Sequence, residues 1–219
     1  RILKSLPIDE TKFPPRQVQW FINNANEAGL RAASVQADDP VSHRMLECYQ
    51  AYEQQCNKEG VVDFPELLLR SYELLSRNAI LCQHYRERFS HILVDEFQDT
   101  NRLQYQWLKL LAGVGTPTVA AVFVVGDDDQ SIYAFRGANT GNMKDFEHDF
   151  AISKVIKLEQ NYRSHGNILD AANALIDNNS ERLGKNLWTA EGKGEPLRVY
   201  NAPNDFDGAA FIVDEVKAL

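Results

Sequence analysis

The chain has 219 residues, 44% hydrophobic and 25% charged, with a formal net charge of −8. That length holds one large domain or two small ones around a real apolar core. No apolar run approaches the ~20 residues a membrane span needs, no signal peptide follows Arg1 to Leu6, and the acidic balance excludes a generally basic nucleic-acid surface.

Residues 1–58 read as helical, with no strand runs. Pro14-Pro15 opens a helix with Val18, Phe21, Ile22 and Ala25 on one face, and Ala28-Gly29 closes it. Asp38-Asp39-Pro40 starts another; Met45, Tyr49 and Tyr52 recur at helical spacing up to Lys58-Glu59-Gly60, and this aromatic stripe is expected in the core. Asp63 caps a helix over Glu66 to Ser76, with Leu67, Leu68, Tyr72 and Leu75 as its apolar face. A helix from Ile80 to Phe89 follows. Cys48, Cys56 and Cys82 lack metal-ligand spacing and read as reduced thiols of a cytoplasmic protein.

The chemistry begins at Ile92-Leu93-Val94, a buried-strand run that ends in Asp95-Glu96. Past a strand end, both carboxylates can reach the crevice where open α/β sheets bind ligands. Such a pair suits a hard cation such as Mg²⁺, with the second carboxylate left to deprotonate a water. Capping the next helix is the plainer reading of an Asp-Glu pair, and Asp99-Thr100 is expected to cap the helix over Arg102 to Ala112. A loop with Gly113, Gly115 and Pro117 leads to a strand over Thr118 to Val125, then Gly126-Asp127-Asp128-Asp129-Gln130. A helix over Met143 to Phe150 precedes a strand over Val155 to Leu158, which again ends in polar residues, Glu159 to Ser164. If these strands are parallel, their ends converge on one edge of the sheet. Beyond them come a helix from Asn167 to Asp177, a strand at Leu197 to Tyr200 and a closing helix from about Asp207. The alternation marks βαβ units and an α/β fold.

Three stretches then carry a resemblance: Val94 to Thr100, Val125 to Tyr133 and Leu158 to Ser164. They resemble motifs II, III and IV of superfamily-one DNA helicases of the UvrD/Rep/PcrA group. Phe13-Pro14-Pro15-Arg16-Gln17, Arg182-Leu183-Gly184-Lys185 and Leu187-Trp188-Thr189 extend the likeness over nearly the whole chain. The resemblance implies part of a RecA-like P-loop NTPase motor lobe with a helical inserted subdomain, and the start of a second RecA-like lobe. In those terms residues 1–58 belong to the insertion, 59–158 to the first lobe and 159–219 to the second.

It also implies roles. Asp95 and Glu96 hold Mg²⁺, Glu96 activates the attacking water, and Gln130 senses the γ-phosphate of ATP. Arg163 reaches that phosphate and Tyr162 stacks on the adenine. Read without the family, Arg163 is a surface arginine and Tyr162 a half-buried core tyrosine. Tyr133, Phe135 and Arg136 offer stacking and a cation to single-stranded DNA. The sequence departs at Ala134-Phe135, where relatives carry Gly-Trp and hence a larger stacking face.

A P-loop, G-x-x-x-x-G-K-[ST], is absent: neither Gly184-Lys185 nor Gly192-Lys193 is followed by Ser or Thr. In the family it lies upstream of the insertion, so the chain is expected to be a middle portion of a longer protein, inactive alone. The activity implied is ATP-dependent 3′-to-5′ translocation on single-stranded DNA and unwinding of duplex DNA, in DNA repair with repair-protein partners and no membrane. The alternatives are the helicase subunit of a recombination nuclease complex and, for these residues alone, a non-catalytic DNA- or protein-binding segment.

Overall fold

A computed structural model describes residues 2–132, 138–139, 141–179, 182 and 184–218, in two compact units that divide between Lys154 and Val155. No helix among the described residues is long and apolar enough to cross a membrane.

The first unit begins with helices: α1 (Ile2–Ser5), α2 (Pro15–Glu27), α3 (Pro40–Glu59), α4 (Phe64–Arg77) and α5 (Ala79–Arg88). Local chemistry fixes their ends. Asp39 accepts from the Val41 and Ser42 amides at 2.8 and 3.0 Å, Pro40 supplies a preset φ, and Gly60 ends α3 in the left-handed region at φ 66°. Asp63 accepts from the Glu66 amide at 2.9 Å and so caps α4, as its position predicts; its other oxygen accepts from the Tyr52 hydroxyl at 2.6 Å. Val18, Ile22 and Ala25 of α2 pack with Met45, Cys48 and Tyr49 of α3 into one apolar cluster.

Beside that cluster stands an ionic hub that spacing alone does not reveal. Arg31, on the turn after α2, donates through Nε and Nη2 to Glu73 at 3.0 and 2.7 Å and through Nη1 to Glu66 at 2.6 Å. A longer contact of 3.5 Å reaches Glu53. One guanidinium thus ties α3 and α4 to the end of α2, and those carboxylates hold it firmly protonated.

The sheet follows. Strand β1 (His91–Val94) pairs in parallel with β2 (Ala121–Val124), with Ile92 opposite Val122 and Val94 opposite Val124, and α6 (Arg102–Ala112) connects them. Those four side chains pack on Phe97, Tyr105, Leu108 and Phe146, the last from α7 (Gly141–Asp149). The alternate side chains face outward: Leu93 is 77% exposed and Phe123 61%. The run expected over Thr118 to Val125 is strand only over Ala121–Val124, the length that pairs with β1; before it, Thr118 O accepts from the Thr116 hydroxyl and the Ala120 amide donates to Ala112 O. Asn101, not Asp99-Thr100, caps α6: residues 97–99 already form a 3₁₀ turn, and Asn101 exchanges bonds of 2.8 Å with Gln104 in a capping box.

The second unit carries α8 (Gly166–Ile176) and α9 (Asp205–Ala218). The strands expected at Val155 to Leu158 and Leu197 to Tyr200 do not form; both are irregular, with Ile156 71% and Val199 96% exposed. An apolar run becomes strand only where a neighbour completes its hydrogen-bond ladder. Here the only ladder contact among the described residues is a single parallel bridge, Gln160 to Trp188. Of the three strands expected to converge, two form among the described residues, and their carboxyl ends lie side by side. The coarse class stands as α/β with a small parallel sheet.

Candidate functional site

The site forms where β1 and β2 end side by side. Beyond Val94 the chain turns sharply. Glu96 lies in the left-handed region at φ 49°, ψ 44°, a conformation that costs a non-glycine residue on the order of 1–3 kcal/mol. The turn is over-determined by its neighbours. The Glu96 amide donates to Asp95 Oδ1 at 2.9 Å, and the Phe97 amide donates to Val125 O at 2.9 Å. Phe97 is fully buried and meets Phe146 edge-on, with ring centroids 5.4 Å apart.

Asp95 and Glu96 are both exposed. Neither side chain caps the following turn; the Asp95 contact closes only on its own neighbour. Helix capping, the plainer reading of this pair, is therefore not the arrangement for Glu96. Its Oε2 instead accepts from Gln98 Nε2 at 2.7 Å. Gln98 is buried, 2% exposed, and its Oε1 accepts from the Asp127 amide at 2.9 Å. Gly126 makes room for this: a Cβ there would lie 3.0 Å from Gln98 Oε1 and 3.3 Å from Gln98 N.

On the β2 side, Asp127 caps a 3₁₀ turn over Asp128–Gln130 through the Asp129 amide at 3.1 Å, and Gln130 Nε2 donates to its Oδ2 at 2.7 Å. Glu96, Gln98, Asp127 and Gln130 thus form one continuous chain of hydrogen bonds across the two strand ends. Gln98 was not singled out from the sequence as a site residue. The signal was present, an amide two positions past an acid on a tight turn, but its two partners lie past the ends of different strands.

The donor set bears on a cation. Asp95 offers an exposed carboxylate whose Oδ2 has no hydrogen-bond partner among the described residues, the hard oxygen donor that Mg²⁺ takes together with water and phosphate oxygens. Asp127, Asp128 and Asp129 place ligand oxygens within 4.8 Å of one another, but each also serves other contacts. The residues present fit a cation held partly by other groups, not an all-protein cage.

In the second unit, Asn161 Oδ1 accepts from the Arg163 and Ser164 amides at 2.9 and 2.7 Å, an Asx-type turn that projects the neighbouring side chains. Tyr162 is 80% exposed rather than half-buried, and its hydroxyl donates to Gln160. The Arg163 guanidinium is exposed and has no ion-pair partner among the described residues. Tyr133, Phe135 and Arg136 lie outside the described residues.

Comparison with known proteins gives a consistent result. Residues 1–151 match the UvrD/REP helicase N-terminal domain and residues 156–219 the UvrD-like helicase C-terminal domain. The chain is 51% identical over 218 residues to the DNA helicase II of Escherichia coli K12, covering 99% of this chain and 30% of that protein. Against the Haemophilus influenzae DNA helicase II it is 49% identical, covering 99% and 29%. Against the Staphylococcus epidermidis ATP-dependent DNA helicase PcrA it is 41% identical, covering 98% and 29%. The chain spans about 30% of the length of these relatives.

Proposed function

The chain belongs to the UvrD/REP helicase family, and from that membership we propose that it supplies part of the motor of an ATP-dependent DNA helicase. Its first unit would be the later part of a RecA-like lobe with its helical insertion, and its second unit the start of another. The motor would translocate on single-stranded DNA and unwind duplex. The observation that carries this reading is the hydrogen-bonded set at the two strand ends. It holds a carboxylate, Glu96, and an amide, Gln130, at adjacent carboxyl ends of a parallel pair, where open α/β sheets bind their ligands.

In this reading Asp95 and Glu96 would hold Mg²⁺ together with ATP, and its charge would offset that of the phosphates. Glu96 accepts the proton of the attacking water, for which its Oε1 is available, having no hydrogen-bond partner among the described residues. Gln130 reads the γ-phosphate. Arg163 provides a fixed positive charge for phosphoryl transfer; its exposed guanidinium, with no ion-pair partner among the described residues, is available for that task. Tyr162, largely exposed, presents a ring for adenine. Tyr133, Phe135 and Arg136 are assigned to single-stranded DNA, by stacking and charge.

The test is strand displacement on a tailed duplex by the full-length protein carrying this chain, together with phosphate release with and without single-stranded DNA. The reading expects DNA-stimulated ATP hydrolysis coupled to unwinding. Absence of DNA-stimulated hydrolysis in folded, full-length protein would overturn it.

A further inference from the structure

We infer that Gln98 is a positioning residue that aims the Glu96 carboxylate and locks it to the end of β2; this rests on the reading of Glu96 as the base. An exposed glutamate ordinarily samples several rotamers, and a base held loosely loses much of its advantage. Here one carboxylate oxygen is fixed by Gln98 Nε2 at 2.7 Å, which leaves the other for a water.

The orientation of the Gln98 amide is set by its partners rather than chosen. The Asp127 N–H can only donate and the Glu96 carboxylate can only accept, so Oε1 must face the first and Nε2 the second. Gln98 itself cannot drift. It is 2% exposed and sits inside the 3₁₀ turn whose Phe97 is anchored in the core and to Val125 O. Its oxygen lies close against Gly126, where an added Cβ would crowd it at 3.0 Å.

The same amide makes Gln98 the link between two stretches that lie far apart in sequence. Asp127, which donates to it, accepts from Gln130 at 2.7 Å. A displacement at Gln130 therefore reaches Glu96 through the Asp127 carboxylate, the Asp127 backbone amide and the Gln98 side chain. Gln98 adds no charge and touches no reacting atom in this assignment; its effect is on where the base points.

The experiment is a double-mutant cycle in the full-length protein carrying this chain. Gln98→Met keeps the volume and removes both bonds. Gln98→Glu keeps the acceptor for the Asp127 amide but replaces the donor to Glu96 with a carboxylate. Both should lower kcat for ATP hydrolysis about 10–100-fold, the usual cost of removing a group that orients a site residue. The KM for ATP should stay near its original value, because the loss falls on the chemical step. Rates are normalised to the folded fraction. In a Glu96→Gln background, measured by single-turnover hydrolysis, Gln98→Met should change the rate by less than roughly twofold, since residues acting as a unit do not add.

Full additivity in that background, a loss confined to KM, or normal kcat in Gln98→Glu would each overturn the inference while leaving the base in place. Normal turnover in Glu96→Gln alone would instead remove the base reading, and the role of Gln98 with it.

Discussion

Replacing Arg31 with Met should unlock the helical region. The arginine makes two bonds to Glu73 at 3.0 and 2.7 Å and two to Glu66 at 2.8 and 2.6 Å. The side chains of Glu66 and Glu73 are only 12% and 17% exposed, and that of Arg31 23%. Removing one partner of a buried pair costs about 3–5 kcal/mol, because a charge is stranded. Arg70 still pairs with Glu66 and Arg77 with Glu73, so the lower end, about 3 kcal/mol, is expected. For a folding unit of about 150–250 residues that lowers Tm by roughly 6–12 °C. The Arg31 guanidinium holds the Glu73 carboxyl below the usual glutamate range. Because the folded-state pKa is depressed, the stabilisation is complete above the unfolded glutamate value of about 4.3 and fades as pH falls through the folded one. Chemical denaturation of both proteins from pH 7 to pH 3 should therefore show a large gap at neutral pH that closes in acid. A gap below about 1 kcal/mol at pH 7 would mean that solvent screens the hub as it does a surface pair.

Two further substitutions probe the local chemistry. Gly126→Ala should slow ATP hydrolysis in the full-length protein while changing Tm little, because the new Cβ presses on Gln98 Oε1 at 3.0 Å; an unchanged kcat would show that the amide tolerates displacement. Asp63→Ala should lower stability by about 1–2 kcal/mol, since it removes both the α4 cap and the acceptor for Tyr52, and leave turnover per folded molecule alone; lost turnover would give Asp63 a part in the site.

The helices were legible because their signals are local. Asp39-Pro40 and Gly60 bracket α3 within the same stretch of chain, and Gly113 ends α6 in the left-handed region. The cap of α6 was misplaced by two residues at most, since Asp99, Thr100 and Asn101 are all competent caps and only the 3₁₀ turn over 97–99 decides among them. Strands were less legible. Ile92 to Val94 and Val122 to Val124 pair with each other, whereas Val155 to Leu158, apolar but for Lys157, has no ladder. Pairing is a property of the neighbour, not of the run. Arg31 and Gln98 were missed for a related reason: their partners lie 22–42 and 2–29 positions away, and a lone arginine or glutamine carries no spacing signal for such contacts. The acids at the strand ends were legible because the motif places them on the chain segment that forms the turn.

The most direct test is the pair Glu96→Gln and Asp95→Asn in the full-length protein carrying this chain, with nucleotide affinity, ATP turnover and Tm measured on both. Glutamine has nearly the shape of glutamate and can still accept from Gln98, but it cannot take a proton from water. Glu96→Gln should keep ATP binding and Tm while hydrolysis falls about 10²–10⁴-fold. Asp95→Asn should also shift the Mg²⁺ dependence, because it weakens an oxygen ligand. Near-normal turnover in folded Glu96→Gln would contradict the account at its centre.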